Sequence, residues 1–318
     1  MKKSLLLCAV FLLVFLSLAS VVGCQPQPPT SPTPTSTATP TLTPTSTPTL
    51  TPTSTPPPSP TPTWTPTPTP ARIAWTTPSA PVTLTVDEAA NRATYKSGGV
   101  EVSGYFYKPS GTGPFPAVLV VHGKSGLGEG MRPHLTWLAT QGYVALAPDY
   151  FTPIGMTAEK FDVSFYLNNV DQAREVLGQG LEALKSLSYV DPNRLGVVGF
   201  SLGGYLAFIL ATRNDVKGIV SYYGAYAPTA PAACSLADII AEIKVPVLMF
   251  HGDADQLVPI AHANTARDLL TSKGKQFEYF IYPGVEHAFD LQGAATYDAN
   301  ATTDARQKEL TFLKAKLQ

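Results

Sequence analysis

Residues 195–212 read LGVVGFSLGGYLAFILAT. The run from Leu195 to Gly199 is short and apolar, which reads as a buried strand, and Leu202 to Thr212 reads as a helix. Between them stands Ser201, with glycine two positions away on each side. Gly-x-Ser-x-Gly is weak evidence alone, because both residue types are common. At a strand-to-helix corner it says more. Such a corner holds the serine in a strained conformation with Oγ exposed, and side chains two residues either way would collide with neighbouring elements. Gly199 and Gly203 would relieve that crowding, while the helix start at Leu202 directs backbone N–H groups toward developing negative charge. The competing reading is a tight turn without chemistry.

Outward from this corner the chain alternates. Val100 to Tyr107, Ala117 to His122, Tyr143 to Ala147, Lys217 to Tyr223, Val245 to Phe250 and Phe277 to Tyr282 read as strands. Arg132 to Gln141, Asp171 to Leu187, Ile260 to Ser272 and Ala305 to Leu317 read as helices. Runs such as VLVV and PVLMF are continuous rather than alternating, as expected for strands buried on both faces. The predicted class is α/β, a mostly parallel central sheet with helices on both faces. Active sites in such sheets form beyond the carboxyl ends of the strands.

A serine hydroxyl needs a base, usually a histidine oriented by a carboxylate. The chain has 5 histidines. His122 and His134 precede Ser201, against the usual Ser, Asp, His order of this architecture, while His251 at a strand end and His262 in a helix read as structural. His287, in YPGVEHAFD after the Phe277 to Tyr282 strand, is the candidate base. The preceding loop, HGDADQLVP, offers Asp255 as the orienting acid, with Asp253 as the alternative or as a turn-stabilising residue. For the oxyanion hole the candidates are the backbone N–H groups of Leu202 and of Lys124 in VVHGKSGLGEG, with Ser125 in place of Lys124 as the alternative. The loops Asp149 to Phe165 and Tyr222 to Asp238 lie beyond strand ends and are expected to line the pocket.

The segments PFPAVLVVHG, TQGYVALAPDYF, DPNRLGVVGFSLGG, HGDADQLVP and YPGVEHAFD, in that order, resemble the dienelactone hydrolase family of α/β hydrolases over Ala93 to Gln318. The resemblance implies an ester hydrolase with Ser201, Asp255 and His287 as its triad and with neither metal nor organic cofactor. Two departures stand out. The namesake enzymes use a cysteine nucleophile with an acidic partner in the oxyanion loop, where this chain has Ser201 and Gly123; they also hold a substrate carboxylate with arginine after the catalytic histidine, where it has Asp290 and Leu291. The expected substrate is therefore a small-molecule ester other than dienelactone. A peptidase of the related prolyl-peptidase type shares the triad order, although nothing here resembles its accessory propeller, and a non-catalytic surface binding module is the alternative from another class.

Lys2 and Lys3 precede an apolar run from Leu5 to Val22, the layout of a secretory signal, and Val21-Val22-Gly23-Cys24 resembles a bacterial lipobox in which Cys24 becomes the lipidated first residue. An uncleaved signal anchor is the alternative. Residues 25–70 repeat Thr-Pro and Ser-Thr-Pro units without a charged residue, which cannot offset chain ordering and favours extended polyproline II. At about 3.1 Å per residue such a stalk would reach roughly 140 Å. The expected organisation is a signal peptide with lipobox at 1–24, a Pro/Thr-rich stalk at 25–81 and an α/β-hydrolase domain at 82–318, lipid-anchored at a bacterial cell surface. Of 3 cysteines, Cys8 leaves with the signal and Cys24 carries lipid, so Cys234 has no partner and reads as a buried small apolar residue. The formal net charge of -1, without a basic stripe, argues against nucleic acid as a partner.

Overall fold

A computed structural model describes residues 73, 75, 78, 80–226 and 235–318. The signal, Cys24, most of the stalk and Cys234 lie outside the described residues. In chain order the elements are β1 (Thr85–Asp87), β2 (Arg92–Ser97), β3 (Val100–Tyr107), β4 (Phe115–Val121), α1 (Arg132–Thr140), β5 (Val144–Pro148), α2 (Val163–Asn168) and α3 (Val170–Lys185). They continue with β6 (Val190–Phe200), α4 (Leu202–Leu210), β7 (Val216–Tyr222), α5 (Leu236–Glu242), β8 (Val247–Gly252), α6 (Ala261–Ser272), β9 (Phe277–Tyr282) and α7 (Ala299–Leu317).

The described strands form one sheet in the order β1-β2-β3-β5-β4-β6-β7-β8-β9. Pairing from β5 through β9 is parallel, and β1, β2 and β3 join antiparallel at one edge. Each central strand serves two cores, because alternate side chains leave the sheet on opposite faces. Ala117, Leu119 and Val121 of β4 meet Leu195 and Val197 of β6 on the side covered by α3 to α6. Val118 and Val120 meet Val198 and Phe200 on the side covered by α1 and α7. Complete burial of such side chains, worth about 1.5–3 kcal/mol each, is why these runs are apolar throughout. The fold is the α/β-hydrolase architecture.

The strands β1 and β2 were not separately expected, and α7 starts earlier than Ala305. Arg92–Ser97 alternates buried and partly exposed residues, so it lacks the continuous apolar signature of the core strands. Asp298 caps α7 by accepting from the Ala301 amide, and Ala301 and Ala305, one helical turn apart, are buried. The globular packing also reaches back before Val82. Ile73 is buried, and the Trp75 indole Nε1–H donates to Thr212 Oγ1 at 2.9 Å.

Candidate active site

Ser201 sits between β6 and α4 with φ 55° and ψ -113°. A side chain in that conformation costs about 1–3 kcal/mol and persists only where the surroundings over-determine it. They do so here. The Ser201 amide donates to Tyr222 O at 3.0 Å, and its carbonyl accepts from Gly204 N and Ala225 N, both at 2.9 Å. A Cβ at position 199 would run into the Gly203 carbonyl, and one at position 203 into the Val121 carbonyl, so the flanking glycines are steric requirements of this corner.

Three strand ends meet at Ser201. Beyond β9, His287 places Nε2 3.1 Å from Ser201 Oγ and Nδ1 2.6 Å from Asp255 Oδ2. An ionised carboxylate only accepts, so Nδ1 carries the proton and Nε2 is left to accept from the serine hydroxyl. Asp255, beyond β8, is buried, and its Oδ1 accepts from Leu257 N at 2.9 Å and Val258 N at 2.7 Å. Burial would raise the pKa of this carboxyl, but the bonds from His287 and the Val258 amide outweigh it and hold the group below its ordinary value. Asp253 is exposed and accepts the Gly284 amide at 2.6 Å, tying the turn after β8 to the turn after β9.

The loop after β4 lies directly against the serine. A Cβ on Gly123 would stand 3.0 Å from Ser201 Cβ, and the Gly126 amide closes a turn onto Gly123 O at 3.1 Å with Lys124 and Ser125 at its crest. His122 supports the turn from behind: its Nδ1–H donates to Gly123 O at 2.9 Å and its ring stacks on Tyr150 at 4.2 Å. Leu202 is the first residue of α4, where an N–H has no intrahelical acceptor. Lys124, which is exposed, lines the pocket.

The cavity over Ser201 has a volume of about 470 Å³, walled by Met131, Phe200, Tyr223, Leu257, Ala288 and Leu291 among others. The expected Asp149 to Phe165 wall is not there. That loop packs behind the cavity, with Phe151 edge-on to His122 at 4.8 Å and Asp149 capping the Phe151 amide at 3.0 Å. Of the Tyr222 to Asp238 segment, Tyr223 lines the cavity, while 227–234 lie outside the described residues. The wall comes instead from the glycine-rich 123–131 loop and the 286–296 loop, where Leu291 Cδ1 would stand 2.5 Å from a Cβ on Gly130.

A sequence profile of the dienelactone hydrolase family matches residues 102–317. The chain belongs to that family. Its curated relatives include a putative carboxymethylenebutenolidase of Synechocystis, 28% identical over 250 residues, covering 74% of this chain and 100% of the relative. A second, from Methylorubrum extorquens, is 31% identical over 212 residues, covering 64% and 73%. Among solved structures, a putative dienelactone hydrolase from Klebsiella pneumoniae superposes with a TM-score of 0.62 at 27% identity, covering 69% of this chain and 95% of that one. Family membership makes this chain an ester hydrolase, and the Ser201–His287–Asp255 hydrogen-bond network supports a serine-hydrolase triad.

One constellation of this family member had no sequence signal. His134 of α1 touches the cavity and places Nε2 3.0 Å from Glu309 Oε1 of α7, while the Tyr222 hydroxyl donates to Glu309 Oε2 at 2.6 Å. Burial would raise the Glu309 pKa, but the neighbouring His134, Arg306 and Tyr222 outweigh it and hold it below the ordinary value. For His134 burial dominates and pushes the imidazole down, so the pair is an anionic carboxylate beside a neutral histidine. His251 is also buried. Its Nε2–H donates to Val258 O at 2.8 Å, pinning the turn that carries Asp255.

Proposed function

We propose that this chain is a serine esterase acting on short, uncharged carboxylic esters. The observation that carries the reading is the continuous line from Ser201 Oγ through His287 to a buried Asp255 at the mouth of an apolar cavity. His287 Nε2 takes the proton of Ser201 as Oγ attacks the ester carbonyl, and Asp255 holds the imidazole in the competent tautomer and stabilises the imidazolium. The amides of Leu202 and Lys124 receive the tetrahedral oxyanion; a donor of this kind is worth about 10²–10³-fold in kcat. The imidazolium then protonates the departing alcohol, and water, activated by the same histidine, releases the acyl group.

The relatives' name, carboxymethylenebutenolidase, denotes action on a lactone bearing a carboxymethylene group. In this cavity Glu286 and Asp290 are lining residues, and the latter stands where the resemblance placed a carboxylate-binding arginine. Asp290 is tied to Tyr223 and Arg306, so a substrate carboxylate would find no arginine at that position, with Lys124 and Glu286 as the other charged lining residues, which favours uncharged esters. Hydrolysis of a p-nitrophenyl ester panel tests the reading: the purified protein should turn over the acetate and butyrate, and Ser201→Ala should lose about 10³-fold or more. Equal turnover by both proteins would remove Ser201 from the reaction.

From the lysines, apolar run and lipobox of residues 1–24 we infer that the enzyme lies outside the cytoplasm, held to the membrane through lipid on Cys24 and spaced from it by the Pro/Thr-rich stalk. Mass spectrometry of the membrane-extracted protein should find an acylated N-terminal Cys24, and an intact Met1 to Gly23 segment would reject the lipid anchor in favour of an uncleaved signal anchor.

A further inference from the structure

Among the described residues, the non-glycine positions with positive φ are Asn91, Ser201, Tyr223 and Ala288. Asn91 turns the chain between β1 and β2, whereas the other three all line the cavity. Strained residues gather where a site depends on their placement. Ser201 and Ala288 are accounted for as the elbow and the neighbour of His287. Tyr223, at φ 40°, plays no part in the steps described above.

Its surroundings suggest what it does. The Tyr223 amide donates to Phe250 O at 2.7 Å, fixing the residue to the end of β8. Its ring lies 4.6 Å from the His287 imidazole, tilted by 60°, and 5.6 Å from Phe289. Its hydroxyl donates to Asp290 Oδ1 at 2.5 Å, and Asp290 Oδ2 lies 3.7 Å from Arg306 Nη2 of α7. Arg306 is in turn seated over Trp137 of α1 at 4.8 Å. The line Tyr223–Asp290–Arg306 therefore spans from the strand ends, through the loop bearing His287, to the helices beyond. We propose that Tyr223 is a positioning residue for His287: its ring backs the imidazole, and its hydroxyl, through Asp290, holds the loop so that Nε2 stays at Ser201 Oγ.

One further observation fits. Burial and the charge of Asp290 push the phenol well above its ordinary pKa, so it remains a donor across the working pH range. The inference rests on the serine-esterase reading and deepens it.

The test compares the wild type, Tyr223→Phe, Asp290→Ala and the double variant in two assays: turnover of p-nitrophenyl acetate and the rate of covalent labelling by a fluorophosphonate. Tyr223→Phe keeps the ring and removes the tether. It should lower kcat and the labelling rate about 10-fold with KM within about twofold, since small misplacements of a catalytic base cost this much. The double variant should lose no more than the worse single, because both members belong to one link. Wild-type labelling by Tyr223→Phe, a raised KM at unchanged kcat, or additive losses in the double variant would each overturn the proposal. A wild type that is not labelled at Ser201 would overturn the esterase reading itself.

Discussion

Asp255 Oδ2 accepts the Nδ1–H of His287 at 2.6 Å, whereas Asp253, two residues earlier in the same turn, accepts a backbone amide from Gly284. The two carboxylates thus divide the labour of one loop. Asp255→Asn should leave the fold in place and lower kcat about 10³–10⁴-fold, because an amide in that position no longer enforces the tautomer that leaves Nε2 unprotonated. Asp253→Ala should retain kcat within about threefold and lower stability by about 1 kcal/mol, the worth of the turn hydrogen bond it accepts from Gly284. Steady-state kinetics with a denaturation curve for each variant separates them. The reverse pattern would move the orienting role to Asp253.

The corner at Ser201 makes a steric prediction. A methyl group on Gly203 would enter the Val121 carbonyl and come within 2.7 Å of His122 O, both backbone atoms of the adjacent strand end. Neither can move without shifting the loop that carries Lys124. Gly203→Ala should therefore destabilise the protein by about 3 kcal/mol or more, beyond the usual range for a single added methyl. It should also abolish esterase activity in whatever folded protein remains. A soluble variant with a wild-type melting temperature would show that the two strand ends can part.

Much of this was legible in the sequence, for identifiable reasons. The central strands are buried on both faces, so Val118–Val121 and Val247–Phe250 had to be apolar runs, and the serine corner could be recognised between one such strand and the helix after it. The β2–β3 hairpin was missed although a signal was present: Gly98 and Gly99 both have positive φ, as a two-residue hairpin turn requires. Asp255 stands just before the helix entry at Val258-Pro259, which favours it over Asp253, but both leave the same strand end and their directions are visible only in the structure. The His134–Glu309 pair joins positions 175 residues apart, and no local pattern encodes it. The cavity wall was misplaced because a position beyond a strand end says nothing of which way a loop folds; Phe151 turned inward onto His122 instead.

Acid stability follows from the buried pair. His134 and Glu309 both have folded pKa values below their ordinary ones, and the groups facing them are Arg306, Asp290 and Tyr222. Between its folded pKa and its unfolded value near 6.5, His134 binds a proton in the unfolded chain but not in the folded one, so stability falls as pH drops below about 6.5. Glu309 and Asp255 add to the loss at lower pH, from the unfolded carboxylate range down through their folded values. Asp149 and Asp215, each held at about 2, extend the decline further. Melting temperatures from pH 8 to pH 3 should therefore decline first gently and then steeply. His134→Gln should be less stable at pH 8 and should shrink the decline that sets in below about pH 6.5, leaving the part due to His251, whose imidazole burial also pushes down; an unchanged decline would mean that His134 is not among the groups responsible.

Trp75 offers a prediction on the side of the domain away from the chemistry. It belongs to the Thr- and Pro-rich sequence, yet its indole donates to Thr212 and packs against Gly178, with Arg213 at 4.9 Å and Arg174 at 5.3 Å over its ring. Arg213 is held in turn by Asp215 and Glu182. Thr212 follows the last turn of α4, and Ser201 precedes its first; nine helical residues at about 1.5 Å each separate them by roughly 13 Å. The indole therefore packs between α3 and the C-terminal end of α4, remote from Ser201. Trp75→Phe loses the hydrogen bond and should cost about 1 kcal/mol, whereas Trp75→Ala also loses the ring and should cost about 3 kcal/mol. Neither should change kcat or KM for p-nitrophenyl acetate below the unfolding transition. Denaturant midpoints and initial rates measured on the same preparations decide the matter: wild-type stability for Trp75→Ala would mean that the indole adds nothing to the fold, and a fall in kcat would couple the far end of α4 to Ser201.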